Sequence, residues 1–188
     1  MGKQSWKPGN MLYPVPAVLV TVADRAGKPN IFTVAWTGTV CSDPPMVSIS
    51  VRPERYSHQM IEETGEFVIN LTTRKLAYAT DYCGVRSGRD TDKIKDMHLN
   101  LVSGQEVGAP LLAESPVNLE CRVTDTLRLG THDMYLAQVV AVHADEAFMD
   151  SSGRFVFDKA EPIAYSHGGY YLLGKKLGTF GYSVKRKK

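Results

Sequence analysis

The chain has 188 residues, 43% of them hydrophobic and 22% charged, which is enough for one well-buried core and short for two independent ones. Lysine and arginine number 22 against 20 acidic residues, so the formal net charge of +2 points to no polyanion-binding face and sets nucleic acid aside as an expected partner. We therefore expect a single domain over residues 1–188, with the basic end "KRKK" as a solvated terminus.

The opening "MGKQSWKPGNMLYPVP" has no apolar signal-peptide core, and no apolar run approaches the roughly 20 residues that cross a bilayer, so no membrane segment is expected. Next, "AVLVTVA" (17–23) is a β-branched run closed by "DRAGKPN", whose Gly27 and Pro29 suit a turn. The chain re-enters a strand at Ile31, which reads as a hairpin. It continues as "TVAWTGT", where Ala35, Thr37 and Gly38 surround Trp36 with small side chains. Such residues let a flat ligand approach the backbone, with Trp36 as an aromatic wall; ordinary core filling by the indole is the alternative.

After Pro44-Pro45, "MVSISV" restarts as a strand whose period of two sets Ser48, Ser50 and Arg52 against Val47, Ile49 and Val51. Ser57 is then placed as the N-cap of a helix that ends at Gly65, so that free amides around His58 and Gln59, with Arg52 or Arg55 beside them, could hold a phosphate monoester. The alternative is a plain serine cap with solvated arginines. "NLT" at Asn70 matches the glycosylation pattern only by chance, since nothing here reads as a secretory signal.

A second helix is expected from about Arg74 to Cys83, followed by the polar loop "GVRSGRDTDK". From Pro116, "PVNLECRVTDTL" alternates, with Val117, Leu119, Cys121 and Val123 inward and Asn118, Glu120, Arg122 and Thr124 on a wet face. "MYLAQVVAVHADEAF" (134–148) is apolar on both sides, as expected for a strand with the core beneath and another element, or another subunit, above, and this burial suggests dimerisation. Hairpin-like spacing with few helices indicates an antiparallel barrel.

Three cysteines, at 41, 83 and 121, show no C-x-x-C, and the five histidines are dispersed. A disulfide framework and a metal site are therefore not expected, and a reducing cytoplasm fits. "GYYLLGKK" (169–176) meets seven positions of the nucleotide-binding loop pattern, but Lys176 stands where Ser or Thr would bind magnesium and the intervening residues are bulky.

Four segments in order, "KPNIFTVAWTGTVCSDPPMVSISVRPERYSHQMI", "GVRSGRDTDK", "GTHDMYLAQVVAV" and "YSHGGYYLLGKKLGTFGYS", resemble the flavin reductase-like proteins with an FMN-binding split barrel, most closely the flavoredoxin-like branch. The resemblance covers nearly the whole chain. It implies a mainly β protein built on a six-stranded antiparallel Greek-key split β-barrel with a few helices, a homodimer, and non-covalently bound FMN near the subunit interface. Ala35, Trp36, Thr37 and Gly38 would border the ring, with Asn30 at the strand entrance. Ser50, Val51 and Arg52 would line the cofactor. Ser57 and Lys93 would take the phosphate, and Cys83 and Gly84 would close the loop over it.

His132, in "GTHD", matches a family histidine near the flavin and nicotinamide, and is the residue expected to act in catalysis. Tyr165, with His167 nearby, matches a C-terminal aromatic that contacts the ring or the partner chain. The implied activity is hydride or electron transfer through FMN, with NADH or NADPH as a transient donor. In typical two-component flavin reductases Asp precedes the His, and this departure motivates a second reading, a flavoredoxin-type electron carrier served by a redox protein. A barrel that has lost its cofactor and acts as a binding module is a third.

Overall fold

The computed structural model describes residues 2–184, so "KRKK" lies outside the described residues. A short β1 (Val15–Pro16) leads into β2 (Val18–Ala23), which pairs antiparallel with β3 (Pro29–Val34). The Asp24 carboxylate accepts from the amides of Ala26 and Lys28, and Gly27 adopts φ 82°, so the expected hairpin forms with its turn closed by a side chain. Every residue of β2 is buried. Val18, Val20 and Val22 point into the barrel, whereas Leu19 joins Ile31, Leu76, Cys83 and Leu112 in a second cluster outside it.

β4 (Thr37–Ser42) follows β3 after a break at Ala35-Trp36 and pairs with β5 (Pro45–Val51). Then come α1 (Tyr56–Thr64), β6 (Glu66–Leu71), a 3-10 turn at Arg74–Leu76 that runs into α2 (Ala77–Val85), and a short α3 (Lys93–Asp96). β7 (Leu101–Val102) pairs with β8 (Leu111–Leu112), β9 (Val117–Arg128) with β10 (Asp133–Ala144), and β11 (Ile163–Ser166) with both β1 and β12 (Gly169–Leu172).

The principal sheet runs β3-β2-β6-β9-β10-β5-β4 with antiparallel neighbours. Its two ends are the arms of one chain run bent at Trp36, so the seven strands comprise six runs that curl into the expected split barrel. The Ser50 amide donates to the Trp36 carbonyl at 2.8 Å, which ties the bend to β5. Val47, Ile49 and Val51 fill the interior and α1 plugs it with Met60 and Ile61, as the strand and helix periods dictate. Gly65 ends α1 in the left-handed conformation at φ 67°.

Three local expectations are corrected. The N-cap of α1 is Arg55, extended at ψ 137°; Ser57 lies inside the first turn, and the His58 amide donates to the Arg55 carbonyl rather than standing free. Asn118 and Glu120 are buried, not wet. The 104–112 segment folds over that face. Glu120 accepts the amides of Gln105, Glu106 and Val107 at 2.8–2.9 Å and pairs with His143 Nε2 at 2.6 Å. Burial pushes its carboxyl up, but these donors outweigh burial and hold it at about 2. Asn118 donates to Asn70 Oδ1, and Asn70 is itself buried.

The third correction concerns β10, which ends at Ala144 before a 3-10 turn at Glu146–Phe148. Before the bulge at Val139/Ala141 its inward Tyr135 and Ala137 are buried while Gln138 on the opposite face is exposed, so within this chain that face is open to another element or subunit. None of the described helices is long and apolar enough to cross a membrane.

Candidate functional site

Two clefts meet where β3, the β5–α1 turn and the α2–α3 loop converge. The first, about 270 Å³, is lined by Asn30, Ser57, Cys83, Gly84 and Lys93 together with Arg55, Arg86, Ser87, Gly88 and Arg89. The second, about 190 Å³, is lined by Ala35, Trp36, Ser50, Val51, Arg52 and His132. Both include Phe32, Thr33 and Arg55, so they form the two arms of one bent groove.

The first arm is built around a buried cation. Lys93, the first residue of α3, is only 3% exposed, and among the described residues its ammonium reaches a single acceptor, the Cys83 carbonyl, at 3.5 Å. Among the described residues no carboxylate pairs with it. Burial, reinforced by Arg55, pulls its pKa down to about 8, so at neutral pH it is still mostly charged. An ammonium held out of water with two donors unspent is costly unless an anion meets it.

The rest of the arm suits an anion with oxygen acceptors. Asn30 Nδ2 donates to Ser57 Oγ at 2.7 Å, which leaves the serine hydroxyl proton free to point at a ligand. A Cβ at Gly88 would collide with the Asn30 carboxamide and lie 2.9 Å from Tyr56 Cδ1, so close approach of the loop requires glycine. Arg89 Nη1 donates to the Glu54 carbonyl at 2.9 Å and its guanidinium lies 5.6 Å from the Tyr56 ring centre, which ties the loop across the groove. Burial pushes the Cys83 thiol up to about 11, so it lines the arm as a neutral apolar group.

The second arm carries two arginines, Arg52 and Arg55, and no carboxylate among its lining residues. His132 enters it from the β9–β10 turn, with Nδ1 3.0 Å from Thr131 Oγ1. Burial and the neighbouring Arg52 lower its pKa, so the imidazole is neutral at pH 7 and can donate or accept.

Other expected residues lie elsewhere. Thr37 and Gly38 pair with β5, where Thr37 Oγ1 donates to the Ser48 carbonyl, and line neither arm. Tyr165 also lies outside the groove. It touches Tyr13 at a ring separation of 6.0 Å, as does His167 at 4.3 Å, and Tyr13 in turn lies 6.1 Å from Trp36. Arg86 and Arg89 were not singled out in the sequence, although a second cluster of cations in "GVRSGRD" was there to be read against "RPERYS".

The model of the flavin reductase like domain matches residues 10–174. The structure of the flavoredoxin of Desulfovibrio vulgaris (Miyazaki F) is 30% identical and superimposes with a TM-score of 0.90 over 98% of this chain and all of that one. An uncharacterised protein of Aeropyrum pernix is 33% identical over 82% of this chain, which spans 58% of that protein's length. An NADH:riboflavin 5′-phosphate oxidoreductase of Streptomyces pristinaespiralis is 26% identical, covering 78% of this chain and 80% of that protein. The chain belongs to the flavin reductase-like family, in its flavoredoxin-like branch, and is a flavin-binding oxidoreductase of split-barrel fold.

Proposed function

We propose that the groove binds FMN non-covalently, with the phosphate in the Lys93 arm and the isoalloxazine in the Trp36 arm. The observation that carries this is Lys93: a charged group almost wholly removed from water, with one marginal acceptor, is matched by a phosphate dianion and by little else. Ser57 Oγ and the guanidinium of Arg55 supply further donors in the same arm.

When bound, the flavin supplies the redox chemistry by taking up a hydride or electrons at its ring. The chain's own residues bind and orient. Trp36 and Ala35 bound the ring, Ser50, Val51 and Arg52 line its other edge, and neutral His132 offers one nitrogen to the ring's polar rim or to an incoming donor. Thr37, Gly38 and Tyr165 support the Trp36 wall from outside the groove. NADH or NADPH would donate transiently over the ring. The homodimer would cover the open side of β10, in the cytoplasm.

The test is anaerobic mixing of FMN-loaded protein with NADH and with NADPH. Bleaching of the visible flavin band within seconds is expected with one of them. A flavin that stays oxidised with both, yet is reduced by a one-electron redox protein, supports the second reading, an electron carrier. That reading is favoured by the likeness to flavoredoxin and by Asp133, whose carboxylate turns away from the ring arm.

A further inference from the structure

Asp133 directly follows His132 and opens β10, so strand alternation points its side chain away from the groove and toward α1. There its Oδ2 is met by His58 Nε2 at 2.7 Å and by Arg128 Nη1 at 2.5 Å, and the side chain is 8% exposed. Arg128, the last residue of β9, also reaches Glu62 Oε2 with Nη2 at 2.8 Å, while the Tyr135 hydroxyl donates to Glu62 Oε1 at 2.7 Å. His58 and Glu62 are four residues apart and therefore face the hairpin together. The His58 hydrogen bond, against the burial penalty and with help from Arg128, holds the Asp133 carboxyl below its usual range.

The placement matters because of what lies beside each partner. His58 follows Ser57 and sits three residues after Arg55, which lines both arms. Asp133 pairs in register with Val51 and Arg128, and between Arg128 and Asp133 the four-residue turn 129–132 holds His132. Within that turn Gly130 adopts φ 84° and the Leu129 amide donates to the His132 carbonyl at 3.0 Å. One buried oxygen thus joins the helix that starts the phosphate arm to the turn that ends the ring arm.

Resting on the flavin reading above, we infer that Asp133 is a positioning residue: by pinning the His132 turn to α1 it sets the width of the ring arm. The two arms then behave differently on mutation. Lys93 acts on the phosphate and discriminates FMN from riboflavin, whereas Asp133 acts where both ligands are the same. Asp133→Asn should weaken FMN and riboflavin by the same factor, about tenfold.

The test uses three proteins without flavin: wild type, Asp133→Asn and His58→Asn, the last removing one partner while keeping the Asp133–Arg128 pair. The His132 imidazole resonances are followed by NMR, assigned by their loss in His132→Asn, and FMN and riboflavin are titrated by fluorescence. The expected result is a displaced His132 resonance in both variants and an equal loss of affinity for both flavins. Unchanged His132 resonances with unchanged affinities, alongside a lowered melting temperature, would show a purely structural clamp and overturn the inference. Should Asp133→Asn fail to fold, His58→Asn decides by the same readings. If wild type binds neither flavin, the flavin reading fails, while the His132 resonances still judge Asp133.

Discussion

Lys93→Met exchanges the buried ammonium for an apolar group of similar length, and it should stabilise the flavin-free protein while damaging its use of FMN. Lys93 is lowered from 10.5 to about 8 in the folded chain, a difference of about 2.5 units, or roughly 3 kcal/mol at 1.36 kcal/mol per unit. The variant leaves the Cys83 carbonyl without its donor, which returns about 1 kcal/mol. A net gain of about 2 kcal/mol at pH 7 follows, or about 4–8 °C in melting temperature for a chain of this size. The pH dependence separates this from generic repacking. Between about 8 and 10.5 the unfolded lysine binds a proton that the folded one has released, so wild-type stability rises with pH across that window. Lys93→Met lacks that rise, and its advantage should vanish above pH 10.5. Urea unfolding of both flavin-free proteins at several pH values measures it. A variant less stable than wild type at pH 7, or a gap that does not close with rising pH, would refute the claim that this cation is buried without compensation.

Other expectations follow from the same geometry. Glu120→Gln should cost on the order of 3 kcal/mol at pH 7 in urea unfolding, because a carboxyl held at about 2 instead of 4.5 contributes stability that is full above pH 4.5; the two proteins should converge as pH falls toward 2. Gly88→Ala should weaken FMN by roughly 5- to 150-fold in equilibrium dialysis, because the added methyl displaces Asn30 from Ser57 at a cost of about 1–3 kcal/mol. Trp36→Ala should weaken FMN and riboflavin alike in the same assay, since the indole bounds the arm proposed for the ring.

Much of this architecture is written in short-range pattern. The β2–β3 hairpin, the inward Val47, Ile49 and Val51, and the stop at Gly65 follow from periodicity and turn chemistry, and the structure has all three. What periodicity cannot carry is contact between distant segments. Asn118 and Glu120 occupy polar positions on an alternating strand, and only the return of residues 104–112 turns that face into an amide-lined interior. Ser57 is a favoured capping residue by type, yet the extended backbone of Arg55 starts the helix earlier and frees the serine hydroxyl to meet Asn30. The groove shows the same division. Asn30, Trp36, Arg52, Lys93 and His132 fall into place through the family resemblance, whereas Arg86, Gly88 and Arg89 come from a loop whose path no local rule gives. Tyr165 falls outside because β11 pairs with β1 rather than joining the barrel sheet.

The most direct test of the phosphate assignment is a paired titration of flavin-free protein with FMN and with riboflavin, for wild type and Lys93→Ala. Wild type should prefer FMN by roughly 10- to 100-fold, the value of one or two charge-assisted hydrogen bonds, and the variant should lose most of that preference while keeping its riboflavin affinity. Equal wild-type affinities for the two ligands, or a preference that survives in Lys93→Ala, would contradict it.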